Sequence, residues 1–442
     1  MGHIKRLQEF LGREVDNSNL VVFRIGFGFL LLAECWGAIL TGWVRRVFMV
    51  PDFTFSYIGF EWLQPLGGNG MYYYYFLMGL FGLFMMIGFA YRFSSVMFCL
   101  LWLGSYLMQK SSYNNHYYLL ILLSGLMAFL PAHKAYSVDV KLGWTDRKET
   151  AAYGYIFLFI AQVAIVYVFA SINKIYPDWL QAKPVAIWFE IKRNYFLIGP
   201  LLQHKWMHYF IAYGGIIYDG IIVFLLLYHR TRKLGFFLSL FFNLFNSAVF
   251  QIGIFPYLMI LFSVFFYPGE SIRKVFLKKK QPVTPTAGSF PKWGTWAMVI
   301  YLVIQTLLPL RHWFIPGNVN WTEEGHKYSW RMMLRSKNGS GRYLVKELQS
   351  GKQEWVDPRD YMTFKQYTRV STFPDMTWQF AQRLKDIYEA KGWEEVAVFA
   401  HFKMSLNGNP RYSHIDPKVD LTQIEWNFFG HADWKITPEY DD

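Results

Sequence analysis

The sequence predicts a polytopic α-helical membrane bundle of about nine spans, followed by a C-terminal extramembrane α+β domain. Three observations carry that prediction. Of 442 residues 53% are hydrophobic and only 17% charged, yet the formal charge is +13, so long apolar runs alternate with basic segments. Many of those runs approach the roughly 17 to 25 residues needed to cross a hydrocarbon core of about 30 Å. After residue 311 the pattern changes to turn signals and short alternating stretches.

In chain order the spans are expected near 20–40, 71–90, 94–109, 117–131, 152–171, 207–228, 234–248, 252–266 and 295–310. The N-terminal stretch "MGHIKRLQEFLGREVDNSNL" has no compact apolar segment ending in small residues, so the first span itself is expected to direct insertion. The chain divides into a span bundle (1–266), a basic Pro-containing linker (267–294), a last span (295–310) and a soluble domain (311–442). In that domain "RYLVKEL" and "EVAVFAHFKMSL" alternate with the period of a strand, and 375–391 has the period of an amphipathic helix.

Basic residues in short loops are retained on the cytoplasmic side. Seventeen Lys and Arg fall in one set of loops, among them Arg13, Lys148, Arg232 and Lys280, against eight in the alternate set. The expected orientation has the N-terminus and the linker cytoplasmic and the domain after residue 311 outside, in an inner (cytoplasmic) membrane. The positive charge is thus mostly topogenic, and no nucleic acid partner is expected. Cys35 and Cys99 both fall inside spans, so no disulfide framework is implied, and no metal spacing is recognisable, including among His401, His414 and His431.

Polar residues gather where the outer boundary is expected: "KSSYNNHYY" (110–118), "SINKIYPDW" (171–179), "FFNLFNSAVFQIGIFP" (241–256) and "LPLRHWF" (308–314). Each has a plain structural reading. Lys174 alone is as well explained by a stem in lipid and an ammonium among the headgroups. Asn114, Asn115 and His116 suit a loop that satisfies its own backbone, and Asn243, Asn246 and Gln251 suit hydrogen bonding between helices. Only their common depth favours a single pocket. In such a pocket a desolvated lysine becomes a base for a weakly acidic, lipid-soluble substrate such as a quinol, and His116 can both donate to it and accept from it. Asp219 is expected to pair with a neighbouring helix or pack at the "GG" approach rather than to act chemically, and Arg24 and Arg92 to be structural.

"YNNHYYL", "INKIYPDW", "YGGIIYDGIIVFLL", "FNSAVFQIGIFPY" and "WTEEGHKYSWRMML" resemble, in that order, the vitamin K-dependent γ-carboxylase family, in particular its bacterial members, over about residues 18 to 434. The resemblance implies binding of vitamin K hydroquinone (of phylloquinol or menaquinol type), with O2 and CO2 as co-substrates and no metal. It implies that Lys174 deprotonates the hydroquinone, which leaves as its 2,3-epoxide while a glutamate γ-proton is removed and CO2 is added. Asn115 and His116 match the pair beside the reaction centre. Asn243, His312 and the segment carrying His326, Tyr328 and Trp330 match the cofactor site, and Arg335 and Lys337 match basic residues that receive the glutamate carboxylate. Glutamate γ-protons are too weakly acidic for any side-chain base near pH 7, so oxidation chemistry from a cofactor has to drive their removal.

Three departures accompany the resemblance. Asn243 stands where the family has histidine, His326 where the animal members have tyrosine, and the cysteines of the animal interdomain disulfide are missing. The animal enzymes also continue through a longer region that holds a propeptide. The expected partners are a glutamate-containing peptide or exported protein, membrane lipid, and a reductase that regenerates the quinol. Two alternatives remain at this stage, a quinol epoxidase without carboxylation and a non-catalytic quinone- or partner-binding membrane module.

Overall fold

The computed structural model describes residues 2–438; the outermost residues of the first and last expected segments lie outside them. A short amphipathic helix, α1 (Gly2–Gly12), leads through strand β1 (Glu14–Asp16) into α2 (Ser18–Leu40). The bundle continues with α3 (Gly70–Ile87), α4 (Tyr91–Met108), α5 (Asn115–Phe129), strand β2 (Thr150–Ala152), α6 (Tyr153–Ile172), α7 (Lys205–Leu227), α8 (Arg232–Phe250) and α9 (Phe255–Phe262). A 3-10 turn (Ser263–Phe266), α10 (Gly269–Phe276) and α11 (Lys292–Leu310) complete it.

Six of these helices are long and apolar enough to cross a membrane: α2, α3, α6, α7, α8 and α11 extended to Phe314. The segment 255–276, bent by 119° between Phe266 and Gly269, makes a seventh if the pair is one span. The third and fourth of the nine expected spans, α4 and α5, are helical but are not among the six. At fifteen residues α5 is about 22 Å long, short of a hydrocarbon core.

Aromatic packing holds the centre. Phe23 lies 5.4 Å from Phe27 and 4.7 Å from Phe265, which in turn stacks on Phe159 at 4.7 Å, joining α2, α6 and the 3-10 turn. Gly88 ends α3 at φ +69°, where a Cβ would lie 2.3 Å from the Arg24 guanidinium. That contact places the fully buried Arg24, whose Nη2 donates to the Tyr136 carbonyl at 2.6 Å, in a structural role.

Residues 267–294 are not a free tether. Lys280 reaches the Asp16 carboxylate and donates to Ser18 Oγ at 3.1 Å, and Arg273 pairs with Asp16 at 3.2 Å. The backbone of Thr286 exchanges hydrogen bonds with Glu14, and the Phe290 N–H donates to the Gln8 carbonyl. Two of its basic residues, Arg273 and Lys280, neutralise buried carboxylate and are held in place by it, whereas Lys274, Lys278, Lys279 and Lys292 are exposed.

The C-terminal region carries an antiparallel sheet of order β4-β3-β5-β6, from β3 (Lys337–Glu347), β4 (Gln353–Val356), β5 (Val396–Leu406) and β6 (Tyr412–Ser413). β3 and β5 pair over eleven positions, from Lys337 opposite Leu406 to Glu347 opposite Val396. Helix α12 (Phe364–Val370) opens with a capping box between Thr363 and Gln366, and α13 (Pro374–Ala390) covers one sheet face with Phe380, Leu384 and Tyr388. The loop after α2 docks the two parts together: Phe53 stacks on Phe380, Phe55 is buried in the C-terminal core, and Gln366 Nε2 donates to the Phe53 carbonyl at 2.7 Å.

Candidate functional site

A cavity of about 940 Å³ opens at the end of the bundle that meets the C-terminal region. Local sequence builds its walls. Asn114 caps α5 by accepting from the Tyr117 N–H at 2.8 Å, which puts Asn115 and His116 in the first turn and on the cavity wall. Gln251 (φ +51°) and Gly253 (φ +65°) break the chain between α8 and α9, and the break lines the opposite side with Ile252, Ile254 and Phe255. His116 stacks on Phe255 with ring centroids 4.0 Å apart. Helix α2 contributes Ala33, Glu34, Gly37 and Ala38, with Thr41 just past its end, and nothing lies within 4 Å of where a Cβ on Gly37 would be.

The other end of the cavity is cationic. Arg46, Lys110, Lys327, Arg331, Arg335, Lys337 and Arg369 line it against two carboxylates, Glu323 and Asp375. Asp375 is shared by Lys110 at 3.1 Å and Lys327 at 2.8 Å, and Glu323 by Arg335 and Lys337. Those two cations hold the Glu323 carboxyl below its usual range despite its burial. Burial pushes Lys337 and Lys110 each down to about 8, with Glu323 and Asp375 respectively opposing the shift. Burial, reinforced by Arg335, holds His326 well below the usual imidazole value, so its ring is neutral and accepts from Arg335 Nη1 at 2.9 Å. The excess of positive charge in a partly apolar enclosure is a receptor for an anion.

Segment 323–333 crosses the cavity with Glu323, Tyr328, Trp330 and Met333 all at positive φ. Non-glycine residues in that region cost about 1 to 3 kcal/mol each and persist only where neighbours fix them. Here three side chains from the bundle do so. The Tyr328 N–H donates to Tyr113 Oη at 3.0 Å, Asn173 Nδ2 donates to the Ser329 carbonyl at 2.8 Å, and Asn115 Nδ2 donates to the Arg331 carbonyl at 3.1 Å. Arg331 then bonds Asn173 Oδ1 at 2.9 Å and Asn320 Oδ1 at 2.8 Å. His312 Nδ1 lies 2.7 Å from the Pro309 carbonyl, and the tautomer that donates there leaves Nε2 to accept from Arg331 at 3.1 Å.

Of the residues expected from sequence, Asn115, His116, His326, Arg335 and Lys337 line the cavity. Lys174, Asn243, His312, Tyr328 and Trp330 do not. The four polar clusters converge in large part: 110–118, 171–179 and 308–314 meet at segment 328–331, and 251–255 of the fourth lines the cavity, whereas Asn243 bonds Ser239 at 2.8 Å and the Tyr218 hydroxyl at 3.4 Å inside the bundle. Trp330 is fully buried, its ring 5.2 Å from that of Tyr118. Tyr328 packs edge-on against Tyr118 at 4.9 Å.

The expectation of a lone desolvated lysine is corrected. Lys174 is buried, 8% exposed, but its Nζ sits 2.5 Å from Asp219 Oδ2 and 3.0 Å from the Ala170 carbonyl. Asp219 does pair with a neighbouring helix, as expected, and the partner it finds is Lys174 itself. Sequence reasoning also passed over Arg331, Glu323 and Glu34. The first two stand inside a quoted motif, and Glu34 is the one carboxylate in the first span, a signal that an ionisable residue at membrane depth provides by itself.

Among the described residues no group of three or more His, Cys, Asp or Glu is placed to hold a metal ion. Residues 12–270 match the HTTM domain, and residues 291–441 match the lumenal domain of vitamin K-dependent gamma-carboxylase. No solved structure matches the chain.

Proposed function

The chain belongs to the vitamin K-dependent gamma-carboxylase family, and from that premise we propose that it is a multi-pass membrane enzyme that oxidises vitamin K hydroquinone and carboxylates peptide glutamate in the cavity between bundle and C-terminal region. The observation that carries the reading is the polarity of that cavity. Its bundle end offers Ala33, Ala38, Leu120, Ile254 and Phe255 to an apolar ring and tail, and its other end offers more cations than the chain's own carboxylates neutralise. The orphaned Nε of Arg331 and of Arg335, both buried without a hydrogen-bond acceptor, fits an anionic group bound beside them.

When bound, the reduced quinone supplies, with O2, the oxidation that drives removal of the glutamate γ-proton, and it leaves as the 2,3-epoxide while CO2 adds. The chain's own residues do the rest. Asn115 and His116 flank the quinol, His116 fixed by its stacking on Phe255. Arg335 and Lys337 orient the glutamate carboxylate, with His326 bearing on Arg335. Lys174 is the base in this proposal, and because an ammonium takes up no proton, the proton held between Nζ and Asp219 Oδ2 has to rest on the carboxylate before the amine accepts one from the hydroquinone. Asn173, next in sequence, ties Lys174 to Arg331 on the cavity wall. His312 supports the same arginine, while Asn243, Tyr328 and Trp330 shape the surroundings. We place the protein in the cytoplasmic membrane with the C-terminal domain outside, acting on an exported glutamate-containing peptide and supplied by a quinone reductase.

A second reading, quinol epoxidation without carboxylation, is favoured by one contact: Glu323 already occupies Arg335 and Lys337. One incubation separates the two. Purified protein with reduced vitamin K, O2, labelled bicarbonate and a glutamate peptide yields epoxide and fixed label under the first reading, and epoxide alone under the second. Lys174→Ala abolishes both products; epoxide at the normal rate from that variant removes Lys174 as the base.

A further inference from the structure

Glu34 has no place in the chemistry described so far. It lies six residues before the end of α2, about 9 Å inside the helix terminus, and lines the cavity. Among the described residues no cation comes within ion-pair distance of it. Tyr117, one residue along α5 from His116, lines the same cavity. From across the cavity Gly253 faces it, a Cβ there lying 3.8 Å from Oε2. The other titratable groups that bear on it electrostatically are Cys35 on its own helix, Tyr75 on α3 and Tyr117 on α5. Two turns further along the chain the cavity wall continues to Thr41, which is exposed. An ionisable side chain at membrane depth that pairs with no opposite charge marks a route for a proton or an ion.

The reaction proposed above has a proton to dispose of. Oxidation of a hydroquinone to its epoxide by O2 also yields one water: one oxygen atom enters the epoxide, the other is reduced to water, and the two hydroxyl protons balance that water. Replacing a glutamate γ-hydrogen with CO2 forms a carbon–carbon bond and a new carboxylate and releases one proton. Each carboxylation thus leaves one proton in an enclosure built to exclude water. The cationic end repels it.

Resting on the carboxylase reading, we propose that Glu34 accepts this proton and passes it along α2 toward the exposed Thr41 where that helix ends. Cycling between carboxylate and carboxylic acid is possible there because no cation pins the charged form.

A lipophilic carbodiimide, which reacts with protonated carboxyls in apolar surroundings, tests this on the intact detergent-purified protein. The expected result is an adduct on Glu34, located by mass spectrometry, that declines as pH rises and is suppressed by vitamin K quinone. In the product assay Glu34→Gln lowers epoxide and label together by about a hundredfold in kcat with an unchanged KM for hydroquinone, and Glu34→Asp restores most of the rate. Absence of the adduct at every pH overturns the proposal, as does a Glu34→Gln variant with the wild-type rate and pH profile; the carboxylase reading survives both. Wild-type protein that makes no epoxide overturns the carboxylase reading instead, and the quinone-sensitive adduct then decides whether Glu34 is a proton-exchanging group of the cavity.

Discussion

Lys174 and Glu323 are both buried charges, and their surroundings differ in one respect. Lys174 meets a single carboxylate, Asp219 on α7, and neither lines the cavity. Glu323 meets two cations at once, Arg335 and Lys337, with Arg331 and Arg369 on the same cavity wall. In the first grouping charge is balanced and enclosed, so it offers an anion no net attraction. In the second the chain leaves positive charge in excess, and an incoming carboxylate recovers desolvation already incurred by the protein. A one-to-one pair suits holding and sharing a proton; an unequal cluster suits receiving an anion.

Breaking the balanced pair has the largest expected effect. Lys174→Met leaves Asp219 buried without a partner and costs about 3 to 5 kcal/mol, read as a lower unfolding temperature in detergent. Lys174→Met combined with Asp219→Leu recovers most of that stability and none of the epoxide formation. A double variant with normal epoxide output would reduce the pair to a structural strut. In the unequal cluster, Arg335→Ala is expected to weaken peptide glutamate binding by about 2 kcal/mol, or some thirtyfold in KM, while epoxide formation without peptide changes little.

A smaller, graded effect comes from pH. Lys337 titrates at about 8 against an ordinary 10.5, because burial disfavours its charge more than Glu323 restores it. Glutamate peptide affinity should therefore fall as pH rises through about 8, and Lys337→Arg should flatten that profile. The stability contribution of the same residue runs the other way. Between about 8 and 10.5 the unfolded chain binds the proton and the folded one does not, so this contribution increases with pH. The smallest change is Asn114→Ala, which removes the cap of α5 at a cost of about 1 kcal/mol and loosens the turn that presents His116.

The helices were legible because an apolar run is a local property, and so were β3, β5 and α13, whose periods of 2 and 3.6 stand in the sequence. Whether α4 and α5 reach across a membrane was less so, since Tyr91, Arg92, Ser94 and Ser95 dilute one and fifteen residues limit the other. For the candidate site, the residue types were legible and the pairings were not. Asp219 lies 45 positions from Lys174 and Arg331 lies 158 from Asn173, distances over which only the packed structure decides who meets whom. Which way Lys174 turns at the end of α6 depends on Asp219, and no pattern around residue 174 announces it.

The cluster of Asp16 with Arg273 and Lys280 sits at the end of α2 opposite the cavity, and 264 positions separate Asp16 from Lys280. A ribosome therefore has to finish eight helices of the bundle before the first of them receives its counter-charges. Until then Asp16 stays hydrated and that end of the bundle stays open. Closure is a late event of biosynthesis: until residue 273 is made, the Asp16 carboxylate has the Ser18 N–H and hydroxyl as its local partners and no counter-charge from the far end of the bundle.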